Sequence, residues 1–345
     1  MNIPGRETAR TIGLVLEQYW FVKEPSLDLL KSNFNATISE IVFEKIISHD
    51  VSIRARIDGL VELELGGLPN CQRTKVPEVI VGPGEELPGE YLKQEKIAYC
   101  SIVSRLKYVN AFKACISSSM YHVQSHSIPS DPPVLPSNYM PLFAGEFQSV
   151  LYPMGRSEND KKLEQNNVAK NMANKNQLQK RILFKMETLE YAALLFEEII
   201  KRGEGFALLV DLLYHQNYLY SSHRFSECLI GAWTIIEAGI SKVWEQYIDN
   251  YKHSGGQVSK GRMKKLQGRD FTASIVQEVL SLSSVFAHSE YDEVDRIRKA
   301  RNKWMHDLLP VSSDDAAKAL QLSHKMVLKA YGIEIGMPIS CGYIL

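Results

Sequence analysis

Between Phe225 and Tyr247 the apolar residues fall three or four positions apart, at Phe225, Cys228, Leu229, Ala232, Ile236, Ile240, Val243 and Tyr247. That spacing draws one apolar stripe along an α-helix, which must bury it against other elements. Neighbouring segments carry the same signal. Leu178, Ile182, Leu189, Ala193, Phe196 and Ile200 form a helical stripe that ends at Arg202-Gly203, where glycine suits a C-cap. Further helices are expected over about Phe206–Ser221, Phe271–Leu282 and Glu290–Leu308, the last stopped by Pro310. A final helix starts at Ser312 or Ser313, has Asp314 and Asp315 in its first turn, and runs to Gly332. Residues 157–332 thus read as an all-α bundle, opening with a polar stretch at 157–181.

The first half reads differently. Val51–Ile57 and Val61–Leu65 alternate apolar and polar residues, a strand signal, and the run Thr37–Phe43 is rich in β-branched residues. Asp58-Gly59 and Gly66-Gly67 suit turns between them. Residues 91–123 admit either a helix or strands. Prolines 129, 132, 133, 136 and 141 then mark Ser127–Pro141 as a linker or extended arm. The expected architecture is α+β. It comprises a mixed α/β domain over 1–150, a connecting helix within 157–204, and a helical domain over 205–333. A chain of 345 residues can bury two cores.

Lys plus Arg and Asp plus Glu number 40 each, so any polyanion-binding surface has to come from local patches. One such patch is the acid-free run from Lys252 to Arg269, with Lys264 and Lys265 at its centre. Five scattered cysteines without a Cys-x-x-Cys pair suggest free thiols in a reducing compartment. The N-terminus has no basic region followed by an apolar run, and no stretch suits a membrane span. A soluble cytoplasmic protein with no membrane partner is expected. Neither a phosphate-cradling glycine loop nor a nucleophile elbow is present. His122 and His126 would share a helical face, yet no third ligand is evident, so no metal and no other cofactor is expected.

The helix expected over 290–308 holds the most informative irregularity. Its apolar stripe runs Val294, Ile297, Trp304 and Leu308, with Arg301 in the middle. An arginine there is costly to bury without an anion or a close partner. Asn302 and His306 lie four apart on a neighbouring face, with Arg298 one turn back. Arg301 and His306 are about 140° apart around an ideal helix, a gap that a symmetric second copy could close.

The run Arg301-Asn302-Lys303-Trp304-Met305-His306 resembles the catalytic signature of the HEPN superfamily: arginine, a polar residue, three further positions, then histidine. It stands where that family carries it, in the penultimate helix of a C-terminal bundle. The earlier run Ile235-Ile236-Glu237-Ala238 resembles the apolar-apolar-Glu-Ala helix of Apea-like HEPN domains. The resemblance covers roughly residues 205–333. It implies a homodimeric endoribonuclease that needs no metal, in a prokaryotic defence or toxin-like role, with the motif helices meeting at the two-fold axis. His306 would be the general acid or base, since imidazole titrates near neutrality. Arg301 would hold the scissile phosphate, and Asn302 would orient the histidine or the phosphate. Arg298, Lys299, Lys303, Lys264 and Lys265 are the candidate RNA-binding cations, and Glu237 is a candidate supporting residue beside the motif. Leu308 stands where members paired with a nucleotidyltransferase antitoxin carry a tyrosine, so their control by tyrosine modification is not expected here. The other reading is a non-catalytic interaction protein, in which the helical domain dimerises and the N-terminal region binds a regulatory partner or ligand.

Overall fold

The computed structural model describes residues 2–3, 6–7, 11–16, 19–25, 40–72, 74–82, 84–126, 132–137, 140–144, 151–153, 182–266, 268 and 271–339. The polar stretch 157–181 with Leu178, the start of the Thr37–Phe43 run, and Arg269 lie outside them. The fold is α+β. The chain forms two compact units, Met1–His126 with Pro133–Leu208, and Ser127–Pro132 with Leu209–Leu345.

In the first unit the strands of three residues or more are β1 (Thr11–Val15), β2 (Tyr19–Phe21), β3 (Ile41–Ser48), β4 (Val51–Arg56), β5 (Leu60–Glu64), β6 (Met140–Ala144), β7 (Leu151–Pro153) and β8 (Ile182–Phe184). Six of them make an antiparallel sheet in the order β7-β6-β1-β5-β4-β3. Val51, Ile53 and Ala55 of β4 are buried, as their alternation predicts. Gly59, at φ +92°, turns the chain from β4 into β5, where a Cβ would stand 2.5 Å from the Leu16 carbonyl oxygen.

One sequence expectation fails here for a non-local reason. Ile182 lies not in a helix but in β8, which pairs in parallel with β2 through Ile182↔Tyr19 and Phe184↔Phe21. The Phe184 ring meets Phe21 edge-on at 5.1 Å. The helix expected to start before it, α2 (Met186–Arg202), which follows α1 (Gly89–Gln124) in the chain, begins only at Met186 and ends as expected at Gly203. Where it is described, the proline-rich segment runs as the extended arm, one of its two expected forms. Asn110 donates from Nδ2 to the Val134 carbonyl at 3.1 Å and accepts the Val134 N–H at 2.7 Å, and β6 continues the segment into the sheet.

The ambiguous stretch 91–123 is one long helix, α1 (Gly89–Gln124). From Leu106 to Met120 only Lys107 escapes burial, so apolar or small residues occur on every side and no single stripe emerges. Phe112 packs edge-on against Phe196 of α2 at 5.1 Å. The helix ends at Ser125 in the left-handed region, so His126 lies beyond it and does not share a helical face with His122.

The second unit is helical. Its elements are α3 (Glu204–Ser221, whose first five residues count to the first unit), α4 (Phe225–His253), α5 (Lys260–Leu266), α6 (Ala273–Leu282), α7 (His288–Asp307) and α8 (Ser313–Tyr331). Helices α3, α4, α6, α7 and α8 lie close to where periodicity places them, whereas α5 forms within the basic run 252–269, where no helix is expected. The stripe of α4 forms the core with Leu280, Phe286, Leu322 and Met326. Gly239 lets α8 approach α4, since a Cβ there would meet the Met326 Cβ at 3.0 Å. Ser312 caps α8, its Oγ accepting from the Asp315 N–H at 3.1 Å. Glu290 in the first turn of α7 accepts the Ala287 N–H and pairs with Lys329 of α8, both at 2.8 Å.

Candidate functional site

Helix α7 enters the core through only two buried residues, Val294 and Ile297. Its outer flank is tied to α8 by ion pairs. Arg296 reaches Asp314 at 2.9 Å and Asp315 at 3.0 Å, and Lys325 reaches Glu293 at 2.9 Å. Past Ile297 the apolar stripe leaves the core. Trp304 is half-buried, whereas Met305 is 46% and Leu308 75% exposed. Leu308 ends the helix in the left-handed region at φ +52°, and Leu309, 52% exposed, follows it. The Arg-x4-His run therefore occupies the last turns of a helix that projects beyond its own core.

Arg301 is half-buried and donates from Nη1 to Asn302 Oδ1 at 3.0 Å. Its Nε is buried with no hydrogen-bond partner among the described residues. The arginine thus sits at the edge of the core rather than within it, with one donor group left over. Asn302 and His306 are exposed. Among the described residues, no hydrogen bond or ion pair of the His306 ring is found, so the imidazole is accessible from solvent.

The candidate RNA-binding cations differ in their engagement. Arg298 and Lys299 both hold Asp295, at 2.5 and 2.7 Å. The hydrogen bond from Lys299, then that from Arg298, keeps the Asp295 carboxyl below the usual carboxylate range. Lys303 is exposed and has no ion pair among the described residues. Lys264 and Lys265 are exposed on α5, which packs through Met263 and Leu266. Glu237 is half-buried on α4 and makes no described hydrogen bond or ion pair with Arg301, Asn302 or His306.

Two features escaped the sequence reading. A cleft of about 590 Å³ lies between the outer flank of α7 and the segment Leu309–Val311. In the first unit, a cleft of about 910 Å³ opens between α1 and the segments 70–72 and 74–77, with Asn70, Gln72, Thr74, Gln94, Cys100 and Ser101 among its walls. Arg105 of α1, 1% exposed, ties the 70–72 wall to the helix by donating to the Cys71 carbonyl at 2.7 Å and the Gln72 carbonyl at 2.8 Å. Burial pushes the Cys71 thiol up to about 12. Neither cleft has a signature in spacing, because each joins segments distant in sequence or created by a turn.

Fold and site together define an α+β protein whose helical unit presents an Arg-x4-His run on an exposed helix end. No family model matches the chain, and neither a curated protein nor a solved structure matches it. No described helix is long and apolar enough to cross a membrane.

Proposed function

We propose that the protein is a HEPN-type endoribonuclease that acts as a homodimer through α7, in a defence or toxin-like role. The observation that carries this reading is the end of α7: a half-buried Arg301 and an exposed His306 at a helix end whose Met305, Leu308 and Leu309 are left uncovered by the described residues. A leucine in the left-handed region costs roughly 1–2 kcal/mol. With its side chain 75% exposed, Leu308 recovers little of that within one chain. A second copy packed on the same helix end would bury it.

The chemistry follows from the side chains. The ribose 2′-hydroxyl attacks the adjacent 3′-phosphate, and the bond to the 5′-oxygen of the next nucleotide breaks. The products are a 2′,3′-cyclic phosphate and a 5′-hydroxyl, with no net change in water. His306 takes the 2′-hydroxyl proton or supplies one to the leaving oxygen. Arg301 stabilises the charge that develops on the phosphate through its guanidinium group, of which Nη1 is held by Asn302. Arg301 and His306 of one chain point about 140° apart on an ideal helix, so each site draws on both copies.

Incubation of the protein with mixed RNA in EDTA tests this directly. Cleavage should persist in EDTA and fall at least about 100-fold in His306→Ala and in Arg301→Ala. Cleavage unchanged by both substitutions would refute the assignment. The uncovered apolar residues also suit a non-catalytic dimerisation module, with the 910 Å³ cleft of the first unit as its ligand site. That reading is favoured if the dimer is intact and no RNA is cut.

A further inference from the structure

The outer flank of α7 carries cations that the cleavage step itself does not use, and they lead to His306. Lys299, Lys303 and His306 follow one another at steps of four and three, so they share one face. Leu308 reverses the chain at the helix end, and Leu309, Pro310 and Val311 then run back beside that face. The result is the cleft of about 590 Å³, with cations from α7 on one wall and apolar side chains on the other. Its volume lies in the range of small-ligand sites. The wall pairing of cation and apolar surface is what a nucleotide presents in reverse, a charged phosphate beside a flat base.

Three carboxylates also line the cleft, and their placement decides where an anion can sit. Asp295 is neutralised by Arg298 and Lys299, and Asp315 by Arg296. Asp292 lies three turns before Lys303, roughly 16 Å along the axis. The cleft is therefore most favourable to phosphate at its Lys303 end, where no acid pairs with the ammonium among the described residues. That end is one turn from His306.

We propose that this cleft is a subsite for the nucleotide adjoining the scissile phosphate, with Lys303 on its backbone phosphate and Leu309, Pro310 and Val311 against its base. Lys299 reinforces the phosphate contact by exchanging Asp295 for it. The proposal rests on the reading of α7 as a ribonuclease helix, and it assigns the strand a path along the outer flank rather than over α5.

Binding of a fluorescent single-stranded RNA oligonucleotide, measured in the uncleaving His306→Ala protein, tests it. Adding Lys303→Ala should weaken binding about five-fold and lower the slope of log affinity against log salt by about one. Adding Val311→Trp, which fills the cleft, should weaken binding without changing that slope. Lys242→Ala on α4, as a control for lost charge, should do neither. Unchanged affinity in both cleft variants, or no binding of RNA at all, overturns the proposal. If wild type cleaves RNA while the cleft variants bind normally, the cleft assignment fails and the ribonuclease reading stands. If the cleft variants lose binding while wild type never cleaves, the ribonuclease reading fails and the cleft remains an RNA site.

Discussion

Single side chains fix several junctions of this fold, and two of them make sharp predictions. Asn110 of α1 holds both backbone groups of Val134, which is 4% exposed. Asn110→Ala would strand a buried donor and acceptor together and should destabilise the first unit by about 3 kcal/mol in chemical denaturation. His324 of α8 accepts from Asn217 Nδ2 at 3.2 Å through Nε2 and donates from Nδ1 to the Ile335 carbonyl at 2.7 Å, an arrangement that requires the neutral ring. Desolvation pushes its pKa down from 6.5 to about 4. The unfolded chain then binds the proton first, so stability is fully present above about pH 6.5 and falls as pH drops to about 4. The loss across that window should total roughly 3 kcal/mol. Denaturation midpoints of His324→Gln should show a flatter slope between those pH values, and an unchanged slope would count against the assignment.

Among the longer helices of the second unit, α7 has the fewest buried residues, Val294 and Ile297. Its start is anchored by Glu290 and the ion pairs to α8, yet its end stands clear of the core. Leu308→Gly should relieve the left-handed strain and stabilise the single chain by about 1 kcal/mol. The same substitution should weaken dimerisation, read as a shift toward monomer in light scattering across a dilution series. The boundaries of α3, α4 and α8 were legible in sequence because their stripes, caps and terminal glycines are local signals. The helical identity of α1 was not. Tyr91, Ile97, Ile102, Leu106, Val109 and Phe112 could line one side of a helix, but the β-branched residues within the run keep strands open, and its middle is buried on nearly every side.

For the whole molecule, balanced charge leaves no long-range pull on a polyanion. RNA affinity should therefore depend on salt through only a few phosphate contacts, with a slope of about −2 to −3 against log salt. A dimer through α7 is expected at micromolar concentration. Met305→Asp should give a folded monomer that no longer cleaves RNA, checked by light scattering beside the cleavage assay. A monomeric wild type that cuts RNA normally would sink the two-copy site.

By itself the sequence determined the helices α3, α4, α6, α7 and α8, the end of α2 at Gly203, the turns of the β4–β5 region, and the position of Arg301 and His306 on one helix near its end. These depend on periodicities and caps spanning a few residues. Tertiary structure alone decided that Ile182–Phe184 pairs with Tyr19–Phe21, that Val134 is held by Asn110, and that α1 is a helix. It also decided that the apolar stripe of α7 leaves the core after Ile297, which turns an arginine expected inside a bundle into a half-buried one. The physical reason is the same throughout. A local pattern specifies which face of an element is apolar, while the partner that covers that face, or fails to, is supplied by residues far away in the chain.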